Sequence, residues 1–112
     1  MNEDYPVFKK WYEITDWILS RCEQYPKTAR FTISSRIANL TLDVVEKIIQ
    51  AIYSKERLYI LKEINIYLEK LRVFLRLSFE RRYISGKQYE YIAGEIQEFG
   101  KMIGGWIRTC AG

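Results

Sequence analysis

The stretch from Leu58 to Ile84, LYILKEINIYLEKLRVFLRLSFERRYI, constrains this chain more than any other. Its apolar residues recur at helical spacing, but on two separate faces. With each residue placed about 100° round the axis from the last, Leu61, Ile64, Leu68, Leu71 and Leu75 fall within about 80° of one another. That is an ordinary core stripe. Tyr59, Ile66, Val73, Leu77 and Ile84 fall within about 40° of one another on roughly the opposite side. A helix in a small monomeric bundle buries one face only. A second apolar face implies a second buried surface, and the simplest source is another copy of the chain or a partner. Arg72 and Arg76 lie one turn apart between the two stripes.

The rest of the chain supplies companions for such a helix. A first helix over about residues 5–24 is expected to start at Asp4 and Pro6. Its stripe is Val7, Trp11, Ile14, Ile18, Cys22 and Tyr25, and Pro26 ends it because a proline inside a helix loses a hydrogen bond and clashes. A second helix, about 29–53, carries an inner stripe of Ile33, Ile37, Leu40, Val44, Ile48 and Ile52. Phe31, Leu42, Ile49 and Tyr53 widen its apolar surface to one side. Ser54 is a candidate N-cap for the third helix, about 55–83. The short connection there predicts an antiparallel hairpin. Ser85-Gly86-Lys87-Gln88 matches the S-x-x-Q capping box and opens a fourth helix, about 86–108, with Tyr89, Ile92, Ile96, Phe99, Ile103 and Trp106 on its stripe. Gly100 and Gly104, one turn apart, suggest that another backbone approaches closely; fraying of the C-terminal turns is the alternative. The expected architecture is all-α, an up-down-up-down antiparallel four-helix bundle forming a single domain over residues 1–112.

Composition narrows the function. The chain has 112 residues, 48% of them hydrophobic, enough for a core without disulfide or metal staples. The net charge of +4 is uneven. Residues 1–53 and 85–112 are each balanced, so the excess lies between Ser54 and Ile84. One copy would hold a polyanion weakly, and several copies together would multiply the field. The two cysteines, Cys22 and Cys110, form no CxxC, and Cys22 falls on a buried stripe, which favours a reduced, cytoplasmic setting. No signal peptide and no membrane span are expected.

Enzyme chemistry is excluded mainly by what is missing. There is no histidine. Di-iron bundles need Glu-x-x-His pairs, and small helical ribonucleases place an arginine shortly before a histidine. A zinc site would rest on two distant cysteines and carboxylates. No phosphate loop of the G-x-x-x-x-G-K-[ST] type occurs. The serines lack a histidine partner, and Glu63, Glu69 and Glu80 sit one or two turns from cations as solvated ion pairs. No catalysis, cofactor or metal is expected.

What remains is recognition by cations and aromatics. Arg72 and Arg76 could lay their stems on apolar surface and present guanidinium forks to phosphate or carboxylate. Simple neutralisation by Glu69 and Glu80 is the competing reading. Lys27 and Arg30, just past Pro26, could add donors, as could Arg36. Lys47, Lys101 and Arg108 read as ordinary surface. Tyrosines and tryptophans can stack on unpaired bases, but Trp11 and Trp106 belong to core stripes. Trp17, off its stripe, is the best candidate for an exposed or interface aromatic.

Three segments carry a family resemblance. Pro26-Lys27-Thr28-Ala29-Arg30-Phe31, Leu71-Arg72-Val73-Phe74-Leu75-Arg76-Leu77 and Gly100-Lys101-Met102-Ile103-Gly104-Gly105-Trp106-Ile107 resemble the accessory variability determinant (Avd) proteins of diversity-generating retroelements, in order and spacing, from about Tyr25 onward. They are also similar to the wider group of four-helix-bundle proteins encoded in rRNA intervening sequences, for which an RNA-associated role without a polymerase would be the alternative. The resemblance implies a basic homopentameric barrel that binds a reverse transcriptase and its template RNA, with DNA also conceivable as ligand. It implies support of mutagenic cDNA synthesis with no catalysis of its own, in a bacterial, archaeal or phage-encoded setting. The family's basic residues on the third helix carry over to Arg72 and Arg76. The oligomer interface expected from the outer stripe is Tyr59, Ile66, Val73 and Leu77. This chain departs from the family in being only modestly basic, which shifts weight from electrostatic grip toward contacts with the polymerase.

Overall fold

The computed structural model describes residues 5–111, all helix and turn, with no strand among them. Asp4, an expected helix-start residue, lies outside the described residues. Helix α1 spans Pro6–Cys22, with Pro6 in its first turn, where a missing N–H costs nothing. Its last carbonyls accept from Glu23 and Gln24 in a tightening turn before Pro26. The second helix does not begin as a regular α-helix at Ala29. A 3₁₀ turn over Lys27–Ala29 passes into a π-helical turn over Arg30–Ser34, and α2 proper spans Ser35–Tyr53. The π turn fits one extra residue into the winding. Ala29 and Ser34 stay buried across it, while Phe31 stands 87% exposed.

Helix α3 spans Arg57–Glu80 and α4 spans Gly86–Ala111. The residue that begins α3 differs from expectation. Glu56 is the N-cap and makes no side-chain capping bond. Ser54 Oγ instead accepts from the Glu56 N–H at 2.9 Å, closing the turn rather than the helix. Arg57 reaches back across this turn. Its Nε donates to the Ala51 carbonyl at 2.7 Å and its Nη2 to the Ile52 carbonyl at 2.9 Å, satisfying the open end of α2. The same guanidinium lies 5.4 Å from the Trp106 ring.

The end of α3 comes three residues before the expected one. Arg82 takes a left-handed conformation, φ 64°. Its N–H bonds to the Phe79 carbonyl at 2.9 Å, and the Tyr83 N–H bonds to the Ser78 carbonyl at 2.8 Å. That pair of bonds is a Schellman stop with arginine where glycine is usual. Ile84, expected on the outer stripe of α3, lies beyond this stop. It folds back into the core and is buried. The capping box then forms as expected. Gln88 N–H donates to Ser85 Oγ at 3.1 Å, and Ser85 N–H donates to Gln88 Oε1 at 2.8 Å.

Each helix packs on its sequence neighbours, and α4 closes back on α1. The result is an antiparallel four-helix bundle of 44 × 22 × 22 Å. The inner stripes meet as expected: Trp11, Ile14, Ile18, Ile37, Val44, Ile48, Leu61, Ile64, Leu68, Leu71, Ile92, Ile96, Phe99 and Ile103 are all essentially inaccessible. Ile33, Leu40, Cys22, Tyr89 and Trp106 lie at the margins, half-buried. Buried hydroxyls bond within their own helices, Thr15 to the Trp11 carbonyl and Thr41 to the Ile37 carbonyl, each at 2.7 Å. The Trp11 indole N–H crosses to the Thr41 carbonyl at 3.0 Å. No described buried side-chain polar atom lacks a partner.

The α1–α4 seam is aromatic. Trp11 meets Phe99 at 4.5 Å between ring centres, Trp17 meets Tyr91 at 5.3 Å, and Tyr5 meets Trp106 at 5.9 Å. Lys10 bonds Glu95 across it at 2.8 Å. Trp17, expected as an exposed or interface aromatic, is a half-buried residue of this intramolecular seam. Among the described residues no helix is long and apolar enough to cross a membrane.

Candidate functional site

Helix α3 keeps both faces that its periodicity predicts. Leu61, Ile64, Leu68, Leu71 and Leu75 are buried, while Tyr59, Ile66, Val73 and Leu77 are 66, 58, 52 and 41% exposed. These four residues form a solvent-facing apolar strip along the helix that packs centrally between α2 and α4. Four large apolar side chains aligned on one outer face of a helix are more than the scattered single apolar residues of an ordinary surface. Phe31, Tyr53 and Leu42 add exposed apolar area on the α2 side of the molecule.

Two grooves flank the strip. On the α2 side, Arg36, Leu40, Glu69, Lys70, Val73 and Phe74 line one of them. On the α4 side, Asn65 and Arg72 face Gln97, Gly100, Lys101, Gly104 and Arg108 across a shallow groove of about 400 Å³. The structure thus divides the predicted cations among three places. Arg36 lies in the α2–α3 groove. Arg72 lies in the α3–α4 groove, with Arg76 exposed one turn farther along. Lys27 and Arg30 lie at the end of the bundle where Tyr25 packs on Tyr83 at 5.4 Å. The turn there also carries Arg81, whose Nε donates to the Tyr83 hydroxyl at 2.9 Å, and Arg82.

The charge is also less concentrated than the chain's segments suggest. Between Arg57 and Glu80, α3 carries five basic and three acidic residues. The rest of the local excess, Lys55, Arg81 and Arg82 against Glu56, belongs to the turns at its two ends. Several cations are committed within the fold. Arg57 caps α2, Lys10 pairs with Glu95, and Lys47 bonds Glu63 at 3.4 Å while lying 5.1 Å from the Tyr67 ring. Arg72 Nη1 donates to Glu69 Oε1 one turn back, and its side chain remains 39% exposed.

Within the chain, side chains and not a backbone lie nearest the two glycines. A Cβ at Gly100 would meet Arg72 Nη2 at 3.3 Å and Leu68 Cδ1 at 3.8 Å; at Gly104 it would meet Arg108 Nη1 at 3.7 Å. Gly100 leaves room for the Arg72 guanidinium, the Arg108 guanidinium rests over Gly104 at ordinary contact distance, and α4 continues as helix through both glycines to Ala111. Lys101 and Arg108, read from the sequence as plain surface, are therefore brought beside Arg72. A signal was available in the chain. Gln97, Lys101, Gly104 and Arg108 recur at spacings of four, three and four, which places them on one strip of α4.

Among the described residues no group of three or more histidine, cysteine or carboxylate side chains is placed to hold a metal ion. Cys22 is half-buried and Cys110 exposed, both as free thiols. Burial pushes the Cys22 thiol above its ordinary pKa, and its Sγ points at the Ser34 carbonyl at 3.7 Å.

With this geometry in hand, comparison with known proteins gives two findings. A sequence model described as bAvd-like matches residues 7–110. The bundle is similar to a crystal structure from Bacteroides thetaiotaomicron, a protein of unknown function from the S23 ribosomal protein family, with a TM-score of 0.82 and 20% identity over 90% of this chain and 97% of that one. At that identity the likeness speaks to the fold alone. No curated protein matches the chain.

Proposed function

Because this chain belongs to the bAvd-like family, we propose that it is a non-catalytic accessory subunit of a diversity-generating retroelement, binding the element's reverse transcriptase and template RNA in support of mutagenic cDNA synthesis. The observation that carries this reading is the exposed strip Tyr59–Ile66–Val73–Leu77 with Arg72 and Arg76 beside it. An apolar strip on the outer side of a helix already packed in its own bundle is suited to association with further copies, as a pentamer by family resemblance. Association repeats the arginines around the assembly, and a repeated weak basic patch becomes a strong one. The modest charge of each chain then suffices for RNA, while the remaining outer surface is free for the polymerase.

Arg72→Ala combined with Arg76→Ala tests the assignment. Light scattering of the doubly substituted protein is expected to show the assembled mass unchanged, with RNA retention reduced and its dependence on salt flattened. A wild-type particle of 13.5 kDa at working concentrations, or RNA retention untouched by the double substitution, counts against the reading. Co-purification with the reverse transcriptase encoded beside the gene tests the second half of it independently.

A further inference from the structure

We infer that the α3–α4 groove is a phosphate-binding site for the nucleic-acid backbone, built from Arg72, Lys101 and Arg108 on a glycine floor, with Arg72 paired in the free protein to Glu69, a displaceable competitor that stands outside the groove. This deepens the RNA-binding half of the proposed function and rests on it.

The first support is the composition of the groove. Its residues are three cations, two amides (Asn65 and Gln97) and two glycines, with no carboxylate among them. The nearest acids of α4 look elsewhere: Glu95 bonds Lys10 on α1, and Glu98 acts on the same lysine through its charge. Phosphodiester oxygens need donors and positive charge without nearby carboxylates, and amide side chains can donate to the same oxygens. An apolar protein segment would find less here. The outer strip and the α2–α3 groove hold the large apolar side chains instead.

The second support is the role of the glycines. Glycine at position 100 leaves room for the Arg72 guanidinium to lie against α4, since a Cβ there would stand 3.3 Å from Nη2. The Arg108 guanidinium lies back along its own helix over Gly104 and Gly105, where an added Cβ would make only ordinary contact at 3.7 Å. Helix-interior glycine costs about 1 kcal/mol relative to alanine. Gly100 beneath the Arg72 guanidinium lets that planar fork lie across the groove against α4 rather than out in solvent, where it would lose more freedom on binding.

The third support is Glu69. Its carboxylate bonds Arg72 Nη1 from outside the groove lining, on the same helix, and it is 71% exposed. An exposed pair at this spacing is weak, so a phosphate backed by Lys101 and Arg108 can displace it. Glu69 thereby keeps an isolated groove from holding small anions tightly and favours a ligand that offers several phosphates at once.

The probe is a single-stranded RNA oligonucleotide, with affinity measured across a salt series on the full-length protein. Lys101→Gln with Arg108→Gln is expected to lower the slope of log affinity against log salt by about 1.4, two contacts on a single strand. Glu69→Gln is expected to raise affinity roughly twofold by freeing Arg72. Glu46→Gln, the same loss of charge at an exposed position of α2 away from the groove and from Arg76, is the control and should raise it less. Gly100→Ala is expected to melt at a higher temperature yet bind RNA more weakly, a combination that a merely structural glycine does not produce. Wild-type binding with a salt slope that none of the groove variants changes, or an equal gain from Glu69→Gln and Glu46→Gln, overturns the inference and leaves the proposed function standing. Absence of any RNA binding by the assembled wild-type protein overturns both.

Discussion

At the scale of single residues, two positions hold chemistry that their neighbours make costly. Tyr25 is buried against Tyr83, and its phenol is pushed up to about 12 by burial, against the opposing hydrogen bond with Ser78. The unfolded phenol ionises near 10. The folded state therefore retains its proton over a window in which the unfolded chain has lost it. Stability from Tyr25 is complete below about pH 10 and lost progressively up to about pH 12, at most about 3 kcal/mol in all. Tyr25→Phe is expected to be less sensitive than wild type to this window in urea titrations at pH 8, 10 and 11. Equal losses in the two proteins would show that other groups dominate. Arg82 is the second position. An L-residue at φ 64° pays for a conformation that glycine adopts freely. Arg82→Gly is expected to gain up to about 1 kcal/mol, a rise of roughly 4 °C in Tm by calorimetry.

At the scale of elements, α3 is two helices in one, and its faces should respond differently to mutation. Leu68→Ala empties a fully buried site and is expected to cost about 2–5 kcal/mol. Val73→Ser and Ile66→Ser, on the outer strip, are expected to change the stability of the dissociated chain by about 0.5 kcal/mol or less while lowering the assembled mass. Denaturation at low concentration and light scattering at high concentration separate the two effects. Elements set by local chemistry were legible in the sequence. The capping box at Ser85–Gln88 and the break at Pro26 depend on residues within a few positions, and the inner stripes depend on periodicity alone. The π turn at Arg30–Ser34 and the early stop of α3 were not legible. Both reflect tertiary demands, burial of Ser34 against Cys22 and of Ile84 in the core, that override the local pattern. The groove around Arg72 was half legible. A helical wheel gives the face on which Arg72 stands, but not that Lys101 and Arg108 on another helix turn toward it. That depends on the mutual rotation of α3 and α4.

At the scale of the whole molecule, the fold offers a slim rod with an uncovered apolar strip along one side. Burial of that strip between copies links stability to mass action. Tm is accordingly expected to rise with protein concentration over a hundredfold range. A constant Tm over that range, with a constant mass, counts against assembly. The aromatic seam has a consequence of a different kind. Trp11, Trp17 and Trp106 all lie where the first helix meets the last, and they are the only indoles the chain has. Ultraviolet emission from the unlabelled protein therefore follows chiefly the packing of α1 on α4, with Trp11 also bonded to the Thr41 carbonyl on α2 and Trp106 lying beneath Arg57. Any ligand that pries this joint open will redden the emission, whereas one that settles elsewhere will leave the spectrum still.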